Sequence, residues 1–359
     1  MMMLICVSFL IASFFAMNIG AGGAAATMGV AYGAGAVRSR KVALWISGVG
    51  VFLGATLGGD EVAKTISGEI IPDSMLTPHL AVIILASACT SLFIANRLGL
   101  PLSTSEVTVG SVVGAGIALH NVFWSNLVLI VALWILIPVT ACGLAWITGR
   151  VIAVMKPRFE HFHWWKGKRW LPILLVLTGF LEAVSAGMNN VANAVGPLVG
   201  TGMISLSQGI LFGGFFVALG SILLGGRVLE TNGKRITHLS MVEGCAISGI
   251  GAFLVIGASL MGIPLPLTQV TSSAIIGTGM AREGFSWKQK LVIEQMLKVW
   301  LVSPLFSLVI TYGLVKGGMK DFYSMVAVIS VFLATWGSIS LMQSVQKEKR
   351  SLHEDGGGI

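Results

Sequence analysis

Three amides, Asn189, Asn190 and Asn193, stand close together in the apolar stretch from Ser185 to Ile204. Such side chains donate and accept hydrogen bonds without carrying charge. Two further polar clusters interrupt apolar sequence. One holds Ser103, Thr104, Ser105, Glu106 and Thr108, and the other Thr268, Gln269, Thr271, Ser272 and Ser273. Asn18, Thr27 and Ser185 are isolated polar groups in the same setting. A glycine-rich stretch, Ala16 to Val37, carries Gly22 and Gly23, and Gly187 opens the amide-rich one. Glycine lets a ligand approach the backbone closely, and N–H groups at half-helix starts attract negative charge. Neutral donors and bare N–H groups together make an anion site with no resident cation. Ser, Thr and Asn can also simply hold helices together, but repeated breaks are not needed for that. Glu106 is the acid within these clusters. An ionised, unpaired carboxylate is expensive in hydrocarbon, which makes Glu106 a candidate proton-coupling group.

The setting is a membrane. Of 359 residues, 55% are hydrophobic and 11% charged, against about 25% charged in soluble domains. That deficit leaves too little polar material to cover a compact surface in water. Apolar runs recur along nearly the whole length, so the chain reads as an all-α polytopic integral membrane protein with about ten to twelve spans. Its expected place is the cell inner membrane or plasma membrane. The net charge of +8 lies mainly in short connections, where it orients the chain rather than binding nucleic acid. The longest of these, 149–170, holds Arg150, Lys156, Arg158, Lys166, Lys168 and Arg169 beside Trp164 and Trp165. That composition suits a membrane–water interface and its lipid. Cys6, Cys89, Cys142 and Cys245 sit in apolar runs without metal spacing and read as small buried hydrophobes. No metal or cofactor is expected. No nucleophile–base pair is evident, so an enzyme is not expected.

The halves match each other. Gly20 falls on Gly187 and Gly29 on Gly196; LGGDEVAKT from Leu57 meets LGGRVLET from Leu224. GLPLSTSEVTVGSVVG from Gly99 meets GIPLPLTQVTSSAIIG from Gly262. Landmarks in one order argue for duplication. The division is a first repeat over 1–148, a basic connection over 149–170, a second repeat over 171–343 and a charged tail over 344–359. Duplication with interrupted helices is the signature of a secondary transporter, and that architecture implies repeats of inverted topology.

Across essentially its whole length the sequence resembles the inorganic phosphate transporter (PiT) family. That family carries GANDVANAFG twice; the matches here are GMNNVANAVG, Gly187 to Gly196, and GAGGAAATMG, Gly20 to Gly29. It also carries GLPVSTTH twice, matched by GLPLSTSE, Gly99 to Glu106, and GIPLPLTQ, Gly262 to Gln269. The resemblance implies a helical transporter of a tetrahedral oxyanion, driven by sodium or protons. It implies substrate contacts from Asn189, Asn193, Ser103, Thr104, Ser105 and Thr268. Where the family has its first-repeat asparagines, Gly22 and Ala26 stand; where it has the signature aspartates, Gly23 and Asn190 stand. Glu106 and Gln269 replace the motif histidines, and Pro266 and Leu267 replace hydroxyls.

These departures bear on the cargo. Phosphate near neutral pH keeps a proton, which a carboxylate accepts well; sulfate is an acceptor only and is repelled by one. Losing two carboxylates suits sulfate, and the eroded first signature resembles the family's bacterial sulfate permease branch. The same loss makes protons the expected coupling ion ahead of sodium. The leading expectation is therefore sulfate–proton symport, with Asn189, Asn190, Asn193, Ser103, Thr104, Ser105 and Thr268 binding the anion. Gly22, Gly23 and Gly187 would offer backbone approach, and Glu106 would couple. A phosphate permease driven by sodium or protons is the first alternative, and a sensor or scaffold that no longer transports is the second. Such a chain is compatible with a homo-oligomer.

Overall fold

The computed structural model describes residues 2–98, 102–161, 170–235, 239–284 and 287–319. Among them there is no strand. Helix α1 (Met2–Ile19) runs into a π-helical turn, Gly20–Ala24, followed by α2 (Ala25–Thr27) and α3 (Gly29–Gly33). Then come α4 (Arg40–Gly58), α5 (Asp60–Lys64), α6 (Pro78–Leu98), α7 (Thr104–Ala118) and α8 (Trp124–His161). The order is used again in α9 (Trp170–Gly200), α10 (Leu206–Leu224), α11 (Gly226–Arg235), α12 (Met241–Leu260), α13 (Leu267–Glu283) and α14 (Trp287–Gly318). Seven helices among the described residues are long and apolar enough to cross a membrane. The protein is a multi-pass membrane protein. The end of the second repeat, from residue 320, and the charged tail lie outside the described residues.

The halves pack by exchange. α1 lies on α10 while α4 lies on α9; α7 lies on α14 while α8 lies on α13. Equivalent glycines make the first exchange possible. A Cβ on Gly20 would overlap the Val217 carbonyl of α10, and one on Gly187 would overlap the Val51 carbonyl of α4. Without a hydrophobic drive between helices in lipid, such close approach is what holds them. Gly187→Leu is therefore expected to cost about 3 kcal/mol or more, seen as a lower melting temperature in detergent. Gly22→Ala is expected to leave it unchanged, since nothing lies within 4 Å of the added carbon.

Two elements differ from expectation. The amide-rich stretch does not break its helix: α9 is continuous through Pro197 to Gly200. Its Asn189 is satisfied sideways by neighbouring elements, so no backbone opening is needed. The basic connection begins as helix, because the apolar residues Val151, Ile152, Val154 and Met155 carry α8 on past Gly149 to His161. Residues 162–169, with His163, Trp164 and Trp165, lie outside the described residues. The segment after α4 turns inward: Ile66, Ile70 and Ile71 are buried. Its charges Asp60, Glu61 and Lys64 stay half exposed and pair with one another.

Candidate functional site

Two half-length helices meet the middle of α9. α7 has 15 residues, a length of about 22 Å, and starts after an extended Ser103 that makes no side-chain cap. The earliest return bond is from Val107 N–H to the Ser103 carbonyl. The N–H groups of Thr104, Ser105 and Glu106 thus stand at an open, partly positive helix end. α13 starts after the extended Ile263–Pro266 segment, held from outside by Trp134 Nε1, which donates to the Pro264 carbonyl at 2.7 Å.

The α9 amides have different tasks. Asn189 is saturated. Its Nδ2 donates to Ser259 Oγ and the Ile263 carbonyl, each at 3.1 Å. Its Oδ1 accepts from Leu265 N–H at 3.0 Å and from Ser105 Oγ at 3.2 Å. An amide has two donor hydrogens and two acceptor lone pairs, so Asn189 has nothing left for a ligand. It ties the segment before α13 to α9. Ser105 completes the tie: its hydroxyl lies 2.9 Å from the Leu265 carbonyl and accepts from Asn193 Nδ2 at 3.2 Å.

Asn190 and Asn193 keep capacity. Asn190 Oδ1 accepts from Thr104 Oγ1 at 3.1 Å and from Asn193 Nδ2 at 3.4 Å. Its Nδ2 points at the glycine-rich π turn, 3.5 Å from where a Gly23 Cβ would stand. Gly22 beside it has open space, and Gly22, Gly23 and Thr104 are all partly accessible. Asn193 Oδ1 is buried without a partner. The space between the π turn, the α7 start and Asn190 therefore offers an amide N–H, a hydroxyl and bare helix-end N–H groups, with no carboxylate among them.

Beyond this cluster, Gln269 Nε2 of α13 donates to Glu106 Oε1 of α7. These are equivalent positions of the two repeats, and both side chains are buried. Ser303 and the Ser103 backbone lie beside the carboxyl. Even so, Glu106 Oε2 and Gln269 Oε1 each lack a hydrogen bond. A proton on Glu106 Oε2 would remove the cost of burying a charged and only partly paired carboxylate.

The structure thus gathers Asn189, Asn190, Asn193, Ser103, Thr104 and Ser105, with Gly22 and Gly23 opposite. It does not gather two of the expected residues. Gly187 turns toward α4, as its packing requires. Thr268 is exposed, and among the described residues no hydrogen bond ties it to the cluster. It precedes Gln269 by one position, about 100° around the helix, so with Gln269 inward it faces elsewhere. Asn18, Thr27 and Ser185 bond back to the carbonyls of Phe14, Ala24 and Glu182 in their own strand of helix. The carbonyls of Ile263 and Leu265 were not foreseen, since apolar residues give no sequence signal. The Glu106–Gln269 pair was foreseeable from the repeat register alone.

The Phosphate transporter family profile matches residues 19–311. The chain belongs to this family. Its members are transporters rather than enzymes, and anion transport is the function they share with it. Among curated relatives, the sulfate permease CysP of Bacillus subtilis is 54% identical, over 96% of this chain and 97% of its own. A Pyrococcus furiosus protein named provisionally as a phosphate permease is 28% identical, over 84% and 92% of the two chains. Among solved structures, a sodium-dependent phosphate transporter superposes with a TM-score of 0.78, at 22% identity, over 89% of this chain and 100% of that one. The phosphate transporter fold is therefore this chain's fold, and the donor cluster at the α7 start is its candidate anion site.

Proposed function

We propose that the protein carries sulfate into the cell by proton symport. The observation that supports this most directly is Asn190 against Gly23, where the family motif would place two carboxylates. Donors without a carboxylate suit a dianion that can only accept hydrogen bonds. The name of the CysP relative points to the same cargo. Asn190, Thr104 and the α7 N–H groups bind the anion, and Gly22 and Gly23 leave it room; Asn189, Asn193 and Ser105 hold that geometry. Glu106 carries a proton, and two repeats of opposite orientation expose the site alternately.

One observation favours phosphate instead. The unpartnered Asn193 Oδ1 is an acceptor that a hydrogen phosphate O–H could use. Labelled sulfate uptake into proteoliposomes, with pH and sodium gradients set independently, decides between them. The expected result is uptake driven by an inward proton gradient, indifferent to sodium and unaffected by excess phosphate. Phosphate entry that a large sulfate excess fails to inhibit would overturn the sulfate reading. Uptake that needs sodium would overturn the proton one.

A further inference from the structure

Glu182 is a second buried carboxyl that the binding site leaves unused. It lies on α9, seven residues before Asn189 and so about 10 Å along the helix. Thr271 Oγ1 of α13 donates to its Oε1 at 2.9 Å. Its Oε2 is buried without a partner, and so is Ser248 Oγ of α12, which lies beside the carboxyl. Its equivalent in the first repeat is Phe15, fully buried, so no packing rule of the fold requires an acid there.

Among the described residues no ion pair holds it. α12 brings Glu243 and Cys245, but Glu243 is engaged by Ser240 and lies 3.9 Å from Arg282. Arg282 of α13 is eleven residues beyond Thr271, about 16 Å along that helix. α4 carries charge only at its start, in Arg40 and Lys41, and Asp60, Glu61 and Lys64 of α5 pair among themselves. The other titratable groups on elements packed against α9 are Cys6 of α1, Tyr32 of α3, Glu69, His79, Cys89 and Arg97 of α6, and Glu106 of α7. Among the described side chains, the polar groups beside the Glu182 carboxyl are Thr271 and Ser248. A dry, unpaired carboxylate is costly, and a carboxylic acid there is not. A proton on Oε2 would also give Ser248 Oγ a donor.

Glu106, Glu182 and Glu243 are the buried acids among the described residues. With Glu243 satisfied, two uncompensated carboxyls share the interior with one anion site. We infer that Glu182 is a second proton-binding site of the transport cycle, so that each divalent oxyanion enters with two protons and no net charge. The inference rests on the proton-symport reading above. When loaded, two neutral carboxyls accompany a dianion. After inward release of the anion, each O–H bond gives its proton to cytoplasmic water, and two carboxylates remain for the return. The interior holds the same charge on both strokes, so the work done against the membrane potential on the inward stroke is returned on the outward one.

The test is the proton-to-sulfate ratio in proteoliposomes clamped with valinomycin and potassium. The wild type is expected to show a ratio of about two, with accumulation independent of voltage. Glu182→Gln is expected to show about one, and an inside-negative 100 mV should then lower its accumulation about 50-fold. An unchanged ratio and voltage response in that variant would overturn the role of Glu182 alone. A wild type that moves no protons would instead overturn proton symport, and Glu182 with it. If Glu182→Gln does not fold, Thr271→Val serves. Its lost hydroxyl stabilised the carboxylate, so proton binding tightens and uptake should persist to higher pH. An unshifted pH profile in that variant would also overturn the inference.

Discussion

Asn189→Leu is expected to destabilise the protein by about 4 kcal/mol, while Asn190→Leu is expected to fold and fail to bind. The two residues are neighbours on α9, and composition does not distinguish them. Asn189 closes four hydrogen bonds, two of them to the backbone of the segment before α13 and two to Ser259 and Ser105. Leucine there would leave the Leu265 N–H and the Ile263 carbonyl buried and unpaired, and each such loss is larger than the bond itself was worth. The melting temperature in detergent should fall by many degrees, and any loss of transport should follow from it. Asn190 bonds only to side chains of its own cluster, Thr104 and Asn193, and aims its Nδ2 at the open break. Its replacement should raise the sulfate Kd at least about tenfold, the worth of a hydrogen bond to a charged group. Binding of labelled sulfate to purified protein separates these effects. Equal affinity in folded Asn190→Leu and wild type would remove Asn190 from the site.

That distinction marks how far sequence could go. Polar clusters in apolar sequence, matched between halves, located both half-helix starts and the α9 amides. Type and spacing identify which residues cannot face lipid; they do not say which way each turns. Thr268 and Ser105 occupy one register position in the repeats, yet Ser105 joins the cluster and Thr268 is exposed. The divergence follows from what precedes each: Pro266 and Leu267 replace the hydroxyls of Ser103 and Thr104, so the second helix start has little to offer an anion. Gly187 misled for a related reason. Glycine serves both backbone approach to a ligand and backbone approach to another helix, and only the neighbour, here Val51, decides. The continuous α9 was hidden because Gly and Asn are poor helix formers in isolation, while buried amide bonds to two other elements override that preference.

Glu106→Gln is expected to abolish sulfate accumulation driven by a pH gradient while leaving the fold, sulfate binding and sulfate–sulfate exchange intact. The reason lies in its partner. Gln269 Nε2 already donates to Glu106 Oε1, and the remaining atoms, Glu106 Oε2 and Gln269 Oε1, face a shared deficit of one proton. A protonated Glu106 supplies it through an O–H donor. A glutamine supplies it through an N–H donor in nearly the same place, so the variant imitates the loaded state permanently. With the proton removed, a buried charge is left without a donor on Oε2 between α7 and α13, and the contact between the repeats weakens. A carrier that can lose this proton can therefore report its protonation state to both half-helices at once; the glutamine variant cannot. Exchange, which needs only the loaded form to reorient, should proceed at close to the wild-type rate. Net uptake, which needs the empty form to return deprotonated, should fall to background at every pH. A Glu106→Gln protein that still accumulated sulfate against its gradient in response to acid outside would exclude Glu106 as a proton carrier. A variant that lost exchange together with accumulation would show that the acid–amide contact serves binding or folding instead.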